Sequence, residues 1–451
     1  MSISNSCVWE VRTTGSDTNG GGFVTGGGGT DYSQQAAAQY AFTDLATTTG
    51  TSGSPVVTSA SHSFAAADVN NIIQISAGTN WTTGFYQIVS VSGGGATLDR
   101  ACASAASASA GTWALGGALA SPGKAAAAAV VDNQIVYIAA GTYSITSTSS
   151  NVANGCVTVA NAVSWRGYSG SRGTLTASPI FQASGISNVT IFTHSANKAE
   201  LINLTVDGQS LSGIQGFLLN SNGNNGYAYR LTAKNCPSNG IYAYRDALIQ
   251  CVATGCSSNS PAMFGATLFA CEAYANSVTG IGLNSPGMAV DCLSYNNTTS
   301  GGDGFDSGTG NQFVNCVAYG NGGAGFSLNA GCIATNCIAE GNTGTGFSGP
   351  GSNQFASLLN CATYNNTGGA TSGLTSGIGT TTTALSGSAF TAAGSTNFSL
   401  NNTAGAGAAC RAAGAPGAFV HAATTSYLDI GAVQHQDSGG GSTTNLFVLL
   451  D

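Results

Sequence analysis

Between Cys251 and Cys361 one phrase returns at a nearly constant step, and nothing else in the chain constrains the fold as strongly. Its anchors are Cys251, Cys271, Cys292, Cys316, Cys337 and Cys361, so the period is roughly 20–24 residues, within the range of stacked repeats. Leu231 fills the same slot one step before Cys251. The phrase reads Cys271-Glu-Ala-Tyr-Ala-Asn276, Cys292-Leu-Ser-Tyr-Asn-Asn297, Cys316-Val-Ala-Tyr-Gly-Asn321, Cys337-Ile-Ala-Glu-Gly-Asn342 and Cys361-Ala-Thr-Tyr-Asn-Asn366. Each phrase then meets a Gly–apolar pair: Gly280-Ile281, Gly304-Phe305, Gly325-Phe326, Gly346-Phe347 and Gly373-Leu374. The steps from Cys292 to Cys316 and from Cys337 to Cys361 are longer by three, with the additions before Gly304 and near Gly349-Pro350-Gly351. Stacked repeats tolerate insertions confined to turns.

A period of this length made of short strands predicts a parallel β-helix, an all-β solenoid whose coils pair about 4.8 Å apart. A leucine-rich repeat would need a Leu-x-x-Leu-x-Leu frame, which is absent, and a propeller repeats at roughly 40 residues or more. Strand alternation assigns the faces. With the cysteine inward, Ala253, Ala273, Ser294, Ala318, Ala339 and Thr363 also point inward, and all are small. The next residue points outward, which predicts an exposed row of Tyr274, Tyr295, Tyr319, Glu340 and Tyr364. The turn after it holds Asn276, Asn297, Asn321, Asn342 and Asn366. Asparagine tolerates left-handed backbone, and stacked amides can bond along a ladder.

Thirteen cysteines is an odd number, so one at least is unpaired within the chain. Cys332-x4-Cys337 and Cys251-x4-Cys256 could suggest zinc, but His62, His194, His421 and His435 lie near neither pair. The anchors read instead as reduced core thiols, because free cysteine serves as a small buried hydrophobe. No metal and no cofactor is expected.

Only 28 of the 451 residues are charged, with a net charge of −8. That excludes a nucleic-acid partner, which would need Lys and Arg to displace counterions. Ala125–Ala140 is interrupted by Asp132, Asn133 and Gln134, so membrane insertion is not expected. The opening Met1-Ser-Ile-Ser-Asn-Ser-Cys-Val-Trp-Glu10 shows no recognisable signal peptide. A surface-type composition without an export signal suits a virus particle, released by lysis. The expected location is the virion surface or the extracellular space.

Four regions follow. Residues 1–118 read as an N-terminal β-rich anchoring module, with a hairpin turning at Ser92-Gly-Gly-Gly95. Residues 119–385 read as a capping helix, Ala125–Val131 with Pro122 near its start, and then the β-helix. Residues 386–436 depart from the repeat and read as a C-terminal cap. Residues 437–451 read as a Gly-rich linker and a terminal strand, Leu446, Phe447, Val448, Leu449 and Leu450. Such a strand is expected to dock on an open sheet edge, on a neighbouring subunit or on its own cap.

The run Gln134–Tyr143 followed by Ser164-Trp-Arg-Gly-Tyr-Ser-Gly-Ser-Arg-Gly173 resembles the opening coils of pectate-lyase-like right-handed β-helix proteins. Trp9-Glu-Val-Arg12 through Asp17-Thr-Asn-Gly20 resembles N-terminal modules of virion proteins from tailed bacteriophages. So does the stretch from Asn397-Phe-Ser-Leu-Asn401 through Tyr427-Leu-Asp-Ile-Gly-Ala-Val-Gln434. The resemblance implies a right-handed parallel β-helix and a place on a phage particle.

No catalytic residue is assigned. The Asn-Thr-Asp, Asp-Asp, Gly-His-Gly and Arg-Ile-Lys set by which polygalacturonases resemble one another is absent. The solenoid's acids are Asp207, Asp246, Glu272, Asp291, Asp303, Asp306 and Glu340, and its bases Arg230, Lys234 and Arg245. Asp303-Gly-Phe-Asp306 is the closest carboxylate pair in sequence, yet residues three apart face opposite ways in an extended strand. Tyr274, Tyr295, Tyr319 and Tyr364 are the surface-contact candidates, for a second subunit or a glycan, against the alternative of a self-stacking ladder. The function expected is a non-enzymatic fibre- or spike-like phage appendage, structural or receptor-binding, a homo-oligomer touching other virion proteins and a host surface glycan. The alternatives are a virion-borne polysaccharide depolymerase and a bacterial surface filament or adhesin.

Overall fold

Small inward residues and frequent turns leave the chain room only for short strands, and short strands must pair with neighbouring coils. The computed structural model describes residues 3–47, 55–103, 108–198, 200–219, 226–257, 260–298, 301–351, 354–374, 382–411, 413–415 and 429–434. The chain divides into two compact units, Met1–Thr232 and Ala233–Asp451.

In the first unit, six antiparallel strands close a barrel around Leu45, Ile73, Ile75, Tyr86, Ile88, Trp113 and Leu115. Strands Gly84–Ser92 and Gly95–Leu98 form its hairpin. Both turn residues, Gly93 and Gly94, have positive φ, the geometry a two-residue hairpin needs. The strand Cys7–Val11 lies elsewhere: it pairs in parallel with Ile135–Ala139 of the first coil. Residues 1–118 therefore contribute both to the barrel and to the solenoid sheet. The helix runs Pro122–Ala128, starting three residues before the expected position and ending three before Val131. Proline suits the first helical turn, where no N–H is needed.

The two resemblance motifs of this unit meet. Glu10 is fully buried and accepts hydrogen bonds from Arg12 Nε and Arg172 Nε, each at 2.9 Å, and from the Tyr168 hydroxyl. Arg172 also reaches Asp31 at 3.5 Å and stacks over Tyr137. A buried carboxylate is tolerable only when paired and bonded in this way.

In the second unit three parallel strand stacks recur. One contains Val252–Thr254, Glu272–Tyr274, Leu293–Tyr295, Val317–Tyr319, Ile338–Glu340 and Cys361–Tyr364 in register. A second contains Phe305–Ser307, Phe326–Ser327, Phe347–Ser348 and Thr371–Ser372. The third contains Gln312–Val314, Ile333–Thr335 and Ser357–Leu359. Among the described residues no helix is long and apolar enough to cross a membrane.

Inside, chemically identical residues stack. Cys251, Cys271, Cys292, Cys316, Cys337 and Cys361 are fully buried and unbridged. Each thiol lies 3.3–3.6 Å from the carbonyl two residues earlier, to which it donates. The intervening residue, from Gln250 through Asn360, is left-handed in every coil. A small donor at the anchor thus closes a one-residue bend. Full burial in this ladder keeps reagents away from all six anchors and disfavours the charged thiolate. Thiolate is the reactive form. Maleimide labelling of native protein should therefore be slow, and rapid only after unfolding; fast native labelling of these anchors would contradict the geometry.

The asparagines form a continuous ladder. Asn276, Asn297, Asn321 and Asn342 each donate Nδ2 to the Oδ1 of the next asparagine, at 2.8–2.9 Å. That same Oδ1 accepts the backbone N–H of the preceding asparagine at 3.0–3.2 Å. The ladder asparagines are not the left-handed residues. That conformation falls one residue earlier, at Ala275, Asn296, Gly320, Gly341 and Asn365. Gly304, Gly325 and Gly346 face the ladder: a Cβ at Gly325 would lie 2.6 Å from the Gly346 carbonyl oxygen and 2.9 Å from Asn342 Nδ2. The fifth pair, Gly373-Leu374, is not in this series, because Phe347 pairs with Thr371.

Candidate functional site

The tyrosine row is not a free surface. Tyr274 and Tyr295 do stack, 5.0 Å apart with planes 7° from parallel. The segment expected as a C-terminal cap, however, lies along this face. Its hairpin, Phe390–Ala392 with Asn397–Leu400, brings Phe390, Phe398 and Leu400 down on the row. Phe398 packs 4.9 Å from Tyr295 and 5.7 Å from Tyr319, and Tyr295 is only 4% exposed. Tyr274, Tyr319 and Tyr364 are partly buried against the same cluster. The row is thus the floor of a second apolar core and not an outer contact. The apolar alternation at Phe398 and Leu400 was the signal that could have shown it. Leu446, Phe447, Val448, Leu449 and Leu450 lie outside the described residues.

Glu340 occupies a tyrosine slot under that cap. Its Oε2 accepts the Ala389 N–H at 3.0 Å. Burial raises its pKa, while the Ser388 hydroxyl and the Ala389 N–H pull it down. A raised folded pKa gives stability that is complete below the unfolded value, about 4.3, and is lost as pH rises through the folded value. Glu340→Gln should therefore flatten this part of the pH–stability curve and raise the melting temperature at pH 8 relative to wild type. A lower value at pH 8, with the slope retained, would contradict this account.

The outer face of the Gly–Phe strands carries the most varied chemistry. Its in-register row runs Tyr242, Phe264, Gly282, Asp306, Ser327 and Ser348. Tyr242 and Phe264 stack at 4.9 Å, and Pro261 fills the notch at Gly282, where a Cβ would lie 2.5 Å from its Cγ. Exposed Tyr244 lies beside this row, with Arg245 over its ring at 5.7 Å.

Asp303 and Asp306 feel each other's surroundings: the Asp306 charge acts on Asp303, and the Ser327 hydroxyl acts on both. Asp303 lies in the turn before Gly304, where strict strand alternation does not apply. Burial pushes its pKa up to about 6; the Ala324 N–H, 2.7 Å from Oδ1, opposes this and the Asp306 charge adds to it. Asp306 is raised by burial as well, and the Ser327 hydroxyl serves both carboxylates. Both carboxyls are thus held above the ordinary carboxylate range, chiefly by burial. Among the described residues no group of three His, Cys, Asp or Glu is placed to hold a metal ion.

Coil on coil, with parallel strands in every stack, decides the architecture. The chain is a parallel β-helix. No family model matches it, and no curated protein matches it. Among solved structures the β-helix is similar to the Geobacillus virus E2 ORF18 protein, at 15% identity over 56% of this chain and 52% of that one, TM-score 0.34. It spans about half the length of that viral protein. It is also similar to the pectate lyase Pel9A, at 15% identity over 71% and 92% of the two chains, TM-score 0.35. A third is the tailspike protein gp49 from Pseudomonas phage LKA1, at 12% identity over 78% and 67%, TM-score 0.22. At these identities no activity passes from any of them to this β-helix.

Proposed function

We propose that the protein is a receptor-binding and structural subunit of a phage appendage, located on the virion surface or released outside the cell. The observation that supports this most is the outer row from Tyr242 to Ser348, two stacked rings, then Gly282 and Asp306, then two serine hydroxyls, at coil spacing. Aromatic rings supply apolar area for sugar faces, and hydroxyls supply paired donors and acceptors. The repeat suits an extended host glycan, and the buried ladders supply a rigid support. Other virion proteins and further copies of the chain are its proposed partners, with the apolar segment Leu446, Phe447, Val448, Leu449 and Leu450 among the proposed contacts.

A second reading, a virion-borne depolymerase, is favoured by two neighbouring acids in one coil, Asp303 and Asp306, both raised by burial. Incubation with purified capsular polysaccharides separates the two. Retention of glycan without new reducing or unsaturated ends supports the binding role. Release of such ends, abolished by Asp303→Asn or Asp306→Asn, would replace it with the enzymatic one.

A further inference from the structure

The thiols of Cys251, Cys271, Cys292, Cys316, Cys337 and Cys361 run through the interior of Ala233–Asp451 in one column. Each stands at the start of one strand of a single in-register stack. All are fully buried and none is bridged. Each points the same way, toward the carbonyl two residues earlier. Equal orientation on stacked coils sets neighbouring sulfurs one coil step apart. That step is 4.7–4.8 Å where the rings of Phe305, Phe326 and Phe347 stack. The Cys271 thiol interacts with those of Cys251 and Cys292, and the Cys316 thiol with those of Cys292 and Cys337. A single thiol closing a bend explains one coil. It does not explain an unbroken file of soft donors at one spacing.

We infer that this column is a binding site for cuprous ions, each held in line between the sulfurs of two successive coils. Length selects two ligands per ion. A metal–thiolate bond is about 2.3 Å, so two in line span about 4.6 Å, close to one coil step. An ion midway therefore reaches both sulfurs without moving the backbone. Among the described residues no group of three His, Cys, Asp or Glu is placed to hold a metal ion. That disfavours zinc, which takes four ligands, and favours a soft thiolate-seeking ion that is satisfied by two. Charge selects a monovalent one. If every thiol of the column releases its proton and each gap takes one cuprous ion, the inner sulfurs are shared and one net negative charge remains. Divalent ions in the same gaps would leave several positive charges in a dry interior, which is costly. The exchange replaces weak S–H donation to carbonyls by metal–sulfur bonds. Because the column is buried, the ions enter as the coils form. The inference does not depend on the receptor-binding reading.

The full chain tests it. It is unfolded, refolded with excess cuprous ion under a non-thiol reductant, desalted and analysed for copper by mass spectrometry. Retained copper should fall by about two ions per chain in Cys316→Ala, which flanks two gaps, and by about one in Cys361→Ala, at the end of the column. Cys410→Ala, outside the column, should retain as much as wild type. X-ray absorption should show two sulfurs around each copper. Zinc carried through the same steps should wash out. A wild type that keeps no copper overturns the inference. So does a copper count unchanged by Cys316→Ala, and so does copper with three or more ligands. An equal loss from all three variants would mean indiscriminate capture by thiols and would overturn it as well. If Cys316→Ala fails to fold, as judged by circular dichroism, Cys361→Ala against Cys410→Ala decides. If the chain does not refold, the same counts are taken on protein expressed in copper-supplemented cells.

Discussion

Asn321→Ala should destabilise the protein by about 3–5 kcal/mol, far beyond what an ordinary polar-to-alanine change costs. Asn321 is 1% exposed and holds four bonds at once. Its Oδ1 accepts from Asn297 N at 3.2 Å and Asn297 Nδ2 at 2.8 Å. Its Nδ2 donates to the Ser294 carbonyl at 3.0 Å and to Asn342 Oδ1 at 2.9 Å. Alanine leaves two donors and two acceptors without these partners in a place that water reaches poorly, and each such group costs about 1–3 kcal/mol. Asp in place of Asn would keep the acceptor but lose the donor and bury a charge, so it should not rescue. Hydrogen exchange of the amides in neighbouring coils is the direct measurement. At about 1.4 kcal/mol per decade, protection should fall by a hundredfold or more. A loss below about 1 kcal/mol would mean that the ladder relaxes around the gap.

The coil was legible because it is written as a repeat. Anchor, inward small residue and turn asparagine each recur at one offset, and the physics that demands each residue is local to a coil. The left-handed bends were harder to read, because Gln250, Ala270 and Asp291 share no residue type with Asn315. There the conformation is imposed by the coil path, and the thiol that closes the bend sits one residue later. Gly373-Leu374 copied the local pattern but not the register, which pairing with the preceding coil decides. Alternation predicts an exposed tyrosine row, and the structure covers it. What covers it is the hairpin that begins at Phe390, far downstream of Tyr319 and beyond the repeat, and no periodicity links the two. Alternation says little about Asp303 for a related reason: the rule holds in strands, and Asp303 lies before the strand that carries Asp306.

Phe326→Ala is expected to cost about 3–5 kcal/mol, the range for emptying a well-packed aromatic site. Phe326 lies between Phe305 and Phe347, with centroids 4.7 and 4.8 Å away and planes 3° and 10° from parallel. Phe313 meets it edge-on at 5.7 Å. Coil spacing fixes this distance, since the backbone ladder holds successive strands close to the thickness of two stacked rings. The neighbours therefore cannot collapse into the gap without breaking backbone pairing, and the cavity persists. Phe326→Leu should recover part of the loss, because it restores volume without the ring contacts. In a stacked repeat the damage spreads only through nearest neighbours. Limited proteolysis of Phe326→Ala should then cut first within the coils that carry Phe305 and Phe347. First cleavage in the N-terminal barrel would show instead that the aromatic stack does not set the stability of its own coils.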